Sequence, residues 1–152
     1  MDSIIIFTAN YVFLVSILIA GIYWLLTPKQ RKIYIAKLTV ITFPLAYIVS
    51  KILGEFIYDP RPFVVEHIKP LITHAPDNGF PSDHTLLTAT IASIIFVYNK
   101  KLGILLYTIS LAIGVSRVLA QIHHPLDIIG SFGIGIGSII AAYFLLKHFR
   151  QI

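Results

Sequence analysis

The 152-residue sequence contains no cysteine and few charged residues. Without cysteine the chain can form no disulfide, no cysteine-ligated zinc site and no thiol nucleophile. Only 12% of the residues are charged, about half the share found in an ordinary soluble domain. Hydrophobic residues make up 57%, and the mean hydropathy is +0.83. This composition predicts an integral membrane protein.

Five apolar segments predict the architecture. They cover residues 4–26, 38–58, 85–98, 102–120 and 128–146, and most approach the roughly 20 residues that a membrane-spanning helix needs. The first does not resemble a cleaved signal peptide, because its leading residues Met1, Asp2 and Ser3 carry no positive side chain. We expect an all-α polytopic bundle of about five transmembrane helices, forming one domain over residues 1–152, with the N-terminus outside and the C-terminus inside.

Basic and acidic residues fall on opposite sides of this bundle. If the connection over residues 27–37 is cytoplasmic, all seven acidic residues lie outside or at the outer end of a span. The basic residues then placed inside are Lys29, Arg31, Lys32, Lys37, Lys100, Lys101, Lys147 and Arg150. This distribution follows the positive-inside rule. The net charge of +5 therefore reports membrane orientation, and we expect no nucleic-acid partner.

Polar residues from three separate segments form the candidate site at the outer side. The first segment is KILGEFIYDPRPF, the second is PSDH at residues 81–84, and the third is SRVLAQIHHPLD at residues 116–127. Ionisable groups within or beside spans are costly and indicate function. The candidate site residues are Lys51, Arg61, Ser82, Asp83, His84, Arg117, His123 and Asp127.

These residue types favour phosphate chemistry. Several cations beside two helix N-termini suit a multiply charged anion. His123 and Asp127 are four residues apart, the reach over which a carboxylate can hold an imidazole in one tautomer as a nucleophile or base. His84, from a different segment, can supply the matching acid. Cations, a His–Asp pair and a second histidine together indicate a phosphoryl-transfer site without a metal.

The third motif carries a resemblance to a known family. Ser116, Arg117, His123 and Asp127 match the pattern Ser-Arg-x5-His-x3-Asp in full. With PSDH close to Pro-Ser-Gly-His, the chain resembles the type 2 phosphatidic-acid phosphatases, which share their site with the vanadium haloperoxidases. The resemblance implies an all-helical core of the same kind.

Two positions depart from the family pattern. Asp83 replaces the glycine of Pro-Ser-Gly-His; it either keeps His84 protonated or turns away from the site, stabilised at the helix N-terminus. In the pattern Lys-x6-Arg-Pro, Lys51 precedes Arg61 by ten residues instead of seven, and Gly54 holds the expected position. We expect Lys51 to reach the site from one helical turn deeper.

The resemblance implies a role for each site residue. His123 attacks phosphorus to form a phosphohistidine while Asp127 orients it, and His84 protonates the leaving oxygen and then activates water. The family uses no metal and no other cofactor. The phosphoryl oxygens would be held by Lys51, Arg61, Arg117, Ser82 and the backbone amide of Asp83.

The stretch RPFVV…HAPDNGFPSDHT further resembles the bacitracin-resistance branch, the undecaprenyl-pyrophosphate phosphatases. That branch implies hydrolysis of undecaprenyl pyrophosphate at a site facing the outside of the cell membrane, with a membrane lipid as partner. Two alternatives stay open. One is a phosphatase of lipid monophosphates such as phosphatidic acid or phosphatidylglycerophosphate; the other is a non-catalytic anion-binding or transport protein.

Simpler interpretations also exist for single residues. Ser82 can cap the third span, and Lys51 can extend to the lipid headgroups. His124 fits no motif position and is expected to be a neighbour at the membrane interface.

Residues outside the motifs have their own interpretations. His67 and His74 line the long loop or, as a less favoured alternative, hold a metal together with His84. Gly133 and Gly137 form a GxxxG pair, which predicts close helix packing within the bundle or a homodimer contact.

Overall fold

The computed structural model describes residues 1–148 as seven α-helices. In chain order they are α1 (Asp2–Tyr11), α2 (Phe13–Leu26), α3 (Lys29–Phe56), α4 (Pro62–Val65), α5 (Asp83–Tyr98), α6 (Lys100–Leu119) and α7 (Pro125–His148). Over these residues there is no strand beyond one isolated bridge between Pro60 and Asn78, so the all-α prediction is confirmed. Arg150 and the C-terminus, both predicted to lie inside, fall among residues 149–152, outside the described residues.

α5 is the central helix. It packs against α2, α3, α6 and α7, and ten of its 16 residues are buried. Ala89 and Ala92 are 0% exposed, and such small residues let neighbouring helices approach closely. The buried hydroxyls of Thr90 and Ser93 donate to the carbonyl oxygens of Leu86 and Ala89, one turn earlier. These hydroxyls are therefore buried with their hydrogen bonds made.

Three helices, α3, α6 and α7, are long and apolar enough to cross a membrane. α1 and α2, which meet at a bend of 43°, add a fourth span if the bent pair crosses as one. α5 has 16 residues, about 24 Å at 1.5 Å per residue, which is less than a hydrocarbon core of about 30 Å. The architecture is that of a helical membrane bundle, but the predicted count of five spans is not confirmed.

The second span begins earlier than its apolar residues predict. The loop expected over residues 27–37 is wrong, because α3 begins at Lys29 and only Thr27 and Pro28 separate it from α2. Thr27 Oγ1 donates to the carbonyl oxygen of Tyr23 at 2.7 Å, which fastens the turn. Helices continue past the apolar core of a membrane into polar sequence, so hydropathy alone places this boundary too late.

Gly133 and Gly137 bring no other helix of the described chain close. A Cβ added to either residue would meet no atom within 4 Å, so the prediction of close packing within the bundle is wrong. Both glycines instead border an apolar cavity of about 500 Å³ between α3 and α7. The homodimer contact through this face stays a prediction.

Two connections lie together at one end of the bundle. Residues 57–82 join α3 to α5, and residues 120–124 join α6 to α7. The backbone N–H of Leu71 donates to the carbonyl oxygen of Ala120 at 3.2 Å and ties them together. At the opposite end Asn99 alone joins α5 to α6, and its side chain accepts from the N–H of Leu102 at 3.1 Å as the N-cap of α6. All three candidate motifs therefore meet at the first of these ends.

Candidate active site

His123 and Asp127 form a buried pair. His123 lies in the turn after α6, and Asp127 lies in the first turn of α7. His123 Nδ1 lies 3.0 Å from Asp127 Oδ2, and the two residues are 2% and 0% exposed. The same carboxylate oxygen accepts the backbone N–H of His124 at 2.9 Å. Because a carboxylate accepts at Nδ1, that nitrogen carries the imidazole proton and Nε2 presents a lone pair.

Two guanidinium groups meet at His123 Nε2. Arg61 Nη1 and Arg117 Nη2 each lie 3.3 Å from this nitrogen. A guanidinium can only donate, so both contacts require an unprotonated Nε2. Burial, together with the charges of Arg117 and Arg61, lowers the pKa of His123 below its ordinary value of 6.5, although the hydrogen bond to Asp127 acts in the opposite direction. The arrangement is a neutral imidazole held between two cations.

The two arginines differ in their remaining contacts. Arg61 Nε donates to Asp77 Oδ1 at 2.7 Å, and Arg61 Nη1 also donates to the carbonyl oxygen of Ile122 at 2.7 Å. Arg117 Nη1 donates to the carbonyl oxygen of Ala9 at 3.2 Å. Arg117 Nε is buried and has no hydrogen-bond partner among the described residues. An unpartnered buried donor is costly, and this N–H is free to donate to an anion.

The N-terminus of α5 lies against the start of α7. Ser82 occupies the N-cap position and is 0% exposed, but its side chain makes no capping hydrogen bond. Ser82 Oγ accepts instead from Thr85 Oγ1 at 3.2 Å, and the Ser82 carbonyl oxygen accepts from Ser131 Oγ at 3.0 Å. Ser82 therefore occupies the predicted N-cap position, although its side chain does not cap the helix. The first amides of α5 stay free of a capping side chain, as anion binding at a helix start requires.

His84 is half-buried at this helix start. Its ring lies nearly perpendicular to that of Phe13, with ring centroids 4.9 Å apart. Arg117, Asp83 and His123 are close enough to His84 to interact with it electrostatically. The structure thus brings His84 to the same cluster as the buried pair.

A polar cavity of about 440 Å³ opens beside this cluster. Lys51 borders it from α3, Arg61 from the long connection and Asp83 from α5. Asp83 therefore lies beside the cavity, and the two interpretations of its side chain stay predictions. Gly54, the position where the family pattern has lysine, borders the same cavity as Lys51. That Lys51 replaces the lysine of the pattern stays a prediction. The Lys51 side chain is exposed, with Nζ 5.3 Å from the centroid of the Tyr47 ring.

Asn78 fastens the long connection, and the sequence analysis missed it. Asn78 Nδ2 donates to the carbonyl oxygens of Gly54 and Ile57 at 2.8 and 2.9 Å. Asn78 Oδ1 accepts from the backbone N–H groups of Asp59 and Phe80 at 2.9 and 3.0 Å. One amide side chain thus ties the end of α3 to the segment that leads into α5. The Asn-Gly dipeptide is a turn signal that could have indicated this role.

Gly79 permits a close approach of the backbone to the buried pair. A Cβ at this position would lie 2.9 Å from Asp127 Oδ2 and 3.1 Å from the carbonyl oxygen of Asp59. Glycine lets the connection lie directly against the Asp127 carboxylate.

His124 contacts a carboxylate of the long connection, and its placement at the membrane interface stays a prediction. Its Nδ1 lies 2.9 Å from Asp59 Oδ1, although the two atoms are not aligned for a hydrogen bond. Burial, followed by the nearby Asp127 carboxylate, raises the pKa of Asp59. Asp59, His124 and Asp127 each offer one ligand atom within 4.8 Å of the others, a spacing that can hold a metal ion. The three histidines of the alternative metal site form no such group among the described residues.

The fold and the site together define a class of protein: a helical membrane bundle that holds a His–Asp pair between two guanidinium groups at one end. The sequence model of the PAP2 superfamily matches residues 34–150. The chain belongs to that superfamily, which confirms the resemblance drawn from the motifs.

Individual relatives cover most of the chain. It is 32% identical over 144 residues to the bacitracin transport permease protein BcrC of Bacillus licheniformis, a match that covers 94% of this chain and 70% of that protein. It is 32% identical over 138 residues to the undecaprenyl-diphosphatase BcrC of Bacillus subtilis (strain 168), covering 90% and 70%. The crystal structure of Aquifex aeolicus LpxE has the same fold, with a TM-score of 0.74 at 24% identity, covering 94% of this chain and 85% of that one.

Proposed function

We propose that this chain is an integral membrane phosphatase that hydrolyses undecaprenyl pyrophosphate to undecaprenyl phosphate and inorganic phosphate. The observation that carries the proposal is the lone pair of His123 Nε2, held 3.3 Å from Arg61 and from Arg117. A nucleophile between two fixed cations suits attack on a phosphoryl group, because the cations stabilise the charge on its oxygens. The choice of lipid rests on the similarity to the undecaprenyl-diphosphatase BcrC.

The proposed reaction has two halves. First, the Nε2 lone pair of His123 bonds to the terminal phosphorus while the bond from that phosphorus to the bridging oxygen breaks, and His84 donates a proton to the departing oxygen. Second, His84 takes a proton from a water molecule as that water attacks the phosphohistidine, which releases inorganic phosphate and restores His123. Asp127 stabilises the positive charge that the imidazole carries between the two steps.

The proposed phosphate site combines donors from several elements. Arg117 contributes its buried, unpartnered Nε, and Lys51 contributes a flexible charge at the cavity wall. Neutralisation by arginine and lysine can replace a metal ion, and we propose that the reaction uses none. The remaining donors are the Arg61 guanidinium, the Ser82 hydroxyl and the backbone amide of Asp83.

Purified protein is expected to release inorganic phosphate from undecaprenyl pyrophosphate in excess chelator. A phosphate group leaves more readily than an alkoxide, so we expect kcat/KM to exceed that for phosphatidic acid by at least about tenfold. The measurement is phosphate release with the two lipids competing in the same micelles, and His123→Ala protein serves as the blank.

Each other outcome favours a different function. Preference for phosphatidic acid would favour a phosphatase of lipid monophosphates. Absence of hydrolysis would favour an anion-binding or transport protein, the activity named for the B. licheniformis relative. Loss of activity in chelator, restored by a divalent cation, would place a metal at Asp59, His124 and Asp127.

We further propose that the site faces the outside of the cell membrane. Lys29, Lys100 and Lys101 lie in the first turns of α3 and α6, at the end of the bundle opposite to the site. The positive-inside rule places that end in the cytoplasm. This orientation would expose the site to lipid pyrophosphate on the outer face.

Single cysteines can report the orientation without background, because the chain has none of its own. Lys69 lies in the long connection beside the site, Lys101 lies at the opposite end, and both are exposed. An impermeant maleimide added to intact cells is expected to label Lys69→Cys protein and to label Lys101→Cys protein only after the cells are permeabilised. The reverse pattern would place the site in the cytoplasm.

A further inference from the structure

The break between α1 and α2 lies against the candidate active site. α1 ends at Tyr11, α2 begins at Phe13, and the two helices bend by 43°. The carbonyl oxygen of Ala9, in the last turn of α1, accepts from Arg117 Nη1. The ring of Phe13, the first residue of α2, contacts the ring of His84. Two site residues are thus held by a part of the chain that precedes residue 34, where the match to the superfamily begins.

The end of α1 orients the Arg117 guanidinium. The last carbonyl groups of a helix lack partners within it and carry the negative end of its dipole. Ala9 is 1% exposed and Arg117 is 3% exposed, so the carbonyl meets the charge where little water screens it. With Nη1 on Ala9 and Nη2 on His123, the plane of the guanidinium is set.

The His84 ring has fewer contacts than the Arg117 guanidinium. The backbone of His84 is fixed, since its carbonyl oxygen accepts from Thr88 Oγ1 at 2.9 Å. Its ring nitrogens make no hydrogen bond among the described residues. The perpendicular contact with Phe13, at 87° and 4.9 Å between centroids, is an arrangement that aromatic pairs prefer. Phe13 is therefore placed to set the plane of the imidazole.

We propose that Phe13 is a positioning residue that holds the His84 imidazole in the orientation from which it protonates the leaving oxygen. This rests on the acid role of His84 proposed above. Losing the Phe13 ring then slows only those reactions that need the proton. A nitrophenolate leaves without protonation, whereas an alkoxide must be protonated. A misplaced acid therefore slows only the alkyl substrate. A defect in phosphate binding or in attack by His123 slows both substrates.

The test compares kcat/KM for p-nitrophenyl phosphate and for a long-chain alkyl phosphate in detergent solution. For each substrate, kcat/KM reports only the first half of the reaction, in which the leaving oxygen departs. Phe13→Leu is expected to lower kcat/KM about 30-fold for the alkyl phosphate and less than about threefold for the aryl phosphate. Phe13→Tyr keeps the ring and is expected to retain the wild-type ratio between the two substrates.

Phe7→Leu is the matched control. It makes the same change on α1, where the Phe7 ring is 59% exposed and packs on Tyr11 with centroids 5.6 Å apart. Equal losses on both substrates in Phe13→Leu protein, or the same pattern in Phe7→Leu protein, would overturn the proposal. If Phe13→Leu protein does not fold, Phe13→Met protein loses the same ring and takes its place.

His84→Ala protein in the same assay separates this inference from the proposed function. Its kcat/KM is expected to fall more for the alkyl phosphate than for the aryl phosphate, and this difference is expected to be larger than in Phe13→Leu protein. Equal losses on both substrates would show that the acid role of His84 is wrong, and the Phe13 proposal would fall with it. If the two substrates differ in His84→Ala protein but not in Phe13→Leu protein, the Phe13 proposal alone would be overturned.

Discussion

Replacing His123 by alanine is expected to lower phosphate release by at least about four orders of magnitude, because it removes the proposed nucleophile. Arg61 and Arg117 keep their contacts to the carbonyl oxygens of Ile122 and Ala9. The two cations proposed to bind phosphate therefore stay in place, and substrate binding is expected to persist. The loss is expected in kcat, while KM changes little.

The covalent intermediate provides the decisive measurement. Wild-type protein mixed with lipid pyrophosphate labelled at its terminal phosphorus and quenched in alkali is expected to carry protein-bound label that acid removes, the behaviour of a phosphohistidine. His123→Ala protein is expected to carry none. Failure to trap label on rapidly quenched wild-type protein, together with activity in the alanine variant, would contradict the covalent mechanism.

The adjacent histidine is the matched control for this experiment. His124→Ala removes an imidazole one residue away, whose Nδ1 contacts Asp59 at 2.9 Å and touches neither guanidinium in the described structure. We expect it to lower activity by less than about tenfold and to leave the label in place. A loss as large as that of His123→Ala would show that the assay reports damage to the turn rather than removal of the nucleophile.

The parts of the site that the sequence predicts best are local. His123 and Asp127 lie four residues apart in the sequence, at the start of a helix. This sequence spacing alone limits the distance between their side chains. The distances of 3.3 Å from Arg61 and Arg117 to His123 Nε2 join residues up to 62 positions apart. The predicted membrane orientation placed these segments at one end of the bundle, and the family resemblance gave the residues their roles. The distances themselves were not predicted, since no periodic pattern encodes a contact between distant segments.

The features that the sequence did not predict depend on tertiary contacts. α3 starts at Lys29 because a helix needs no apolar side chains once it has left the membrane core. The first span breaks at Val12 although no proline or glycine is there, and the end of α1 instead meets Arg117. Asn78 lies in an ordinary turn dipeptide, and three of its four hydrogen bonds reach residues 19 to 24 positions earlier in the chain. Propensity and hydropathy report none of these contacts.

Replacing Asp127 by alanine is expected to lower kcat by about four orders of magnitude, whereas asparagine is expected to cost about a hundredfold. Asp127 Oδ2 accepts two N–H groups, one from His123 Nδ1 and one from the backbone of His124. A backbone N–H can only donate, so an asparagine here must place its carbonyl oxygen where Oδ2 lies. That oxygen still accepts from His123 Nδ1 and keeps the lone pair on Nε2. Asp127→Asn therefore removes only the charge that stabilises the His123 imidazolium. Asp127→Ala also removes the hydrogen bond that fixes the tautomer and the orientation of the His123 ring.

The pH profile separates these two losses. The charge of Asp127 and its hydrogen bond both raise the pKa of His123, against the lowering by burial and by the two arginines. Removing the charge lowers that pKa further. Because His123 must be unprotonated to attack, the acid limb of kcat/KM is expected to move to lower pH in Asp127→Asn protein.

Asp59→Asn removes the neighbouring carboxylate and leaves the His123 hydrogen bond intact, so it is expected to cost far less activity. If asparagine at position 127 is as harmful as alanine, the His124 N–H does not fix the orientation of the amide. The tautomer of His123 then depends on the carboxylate charge.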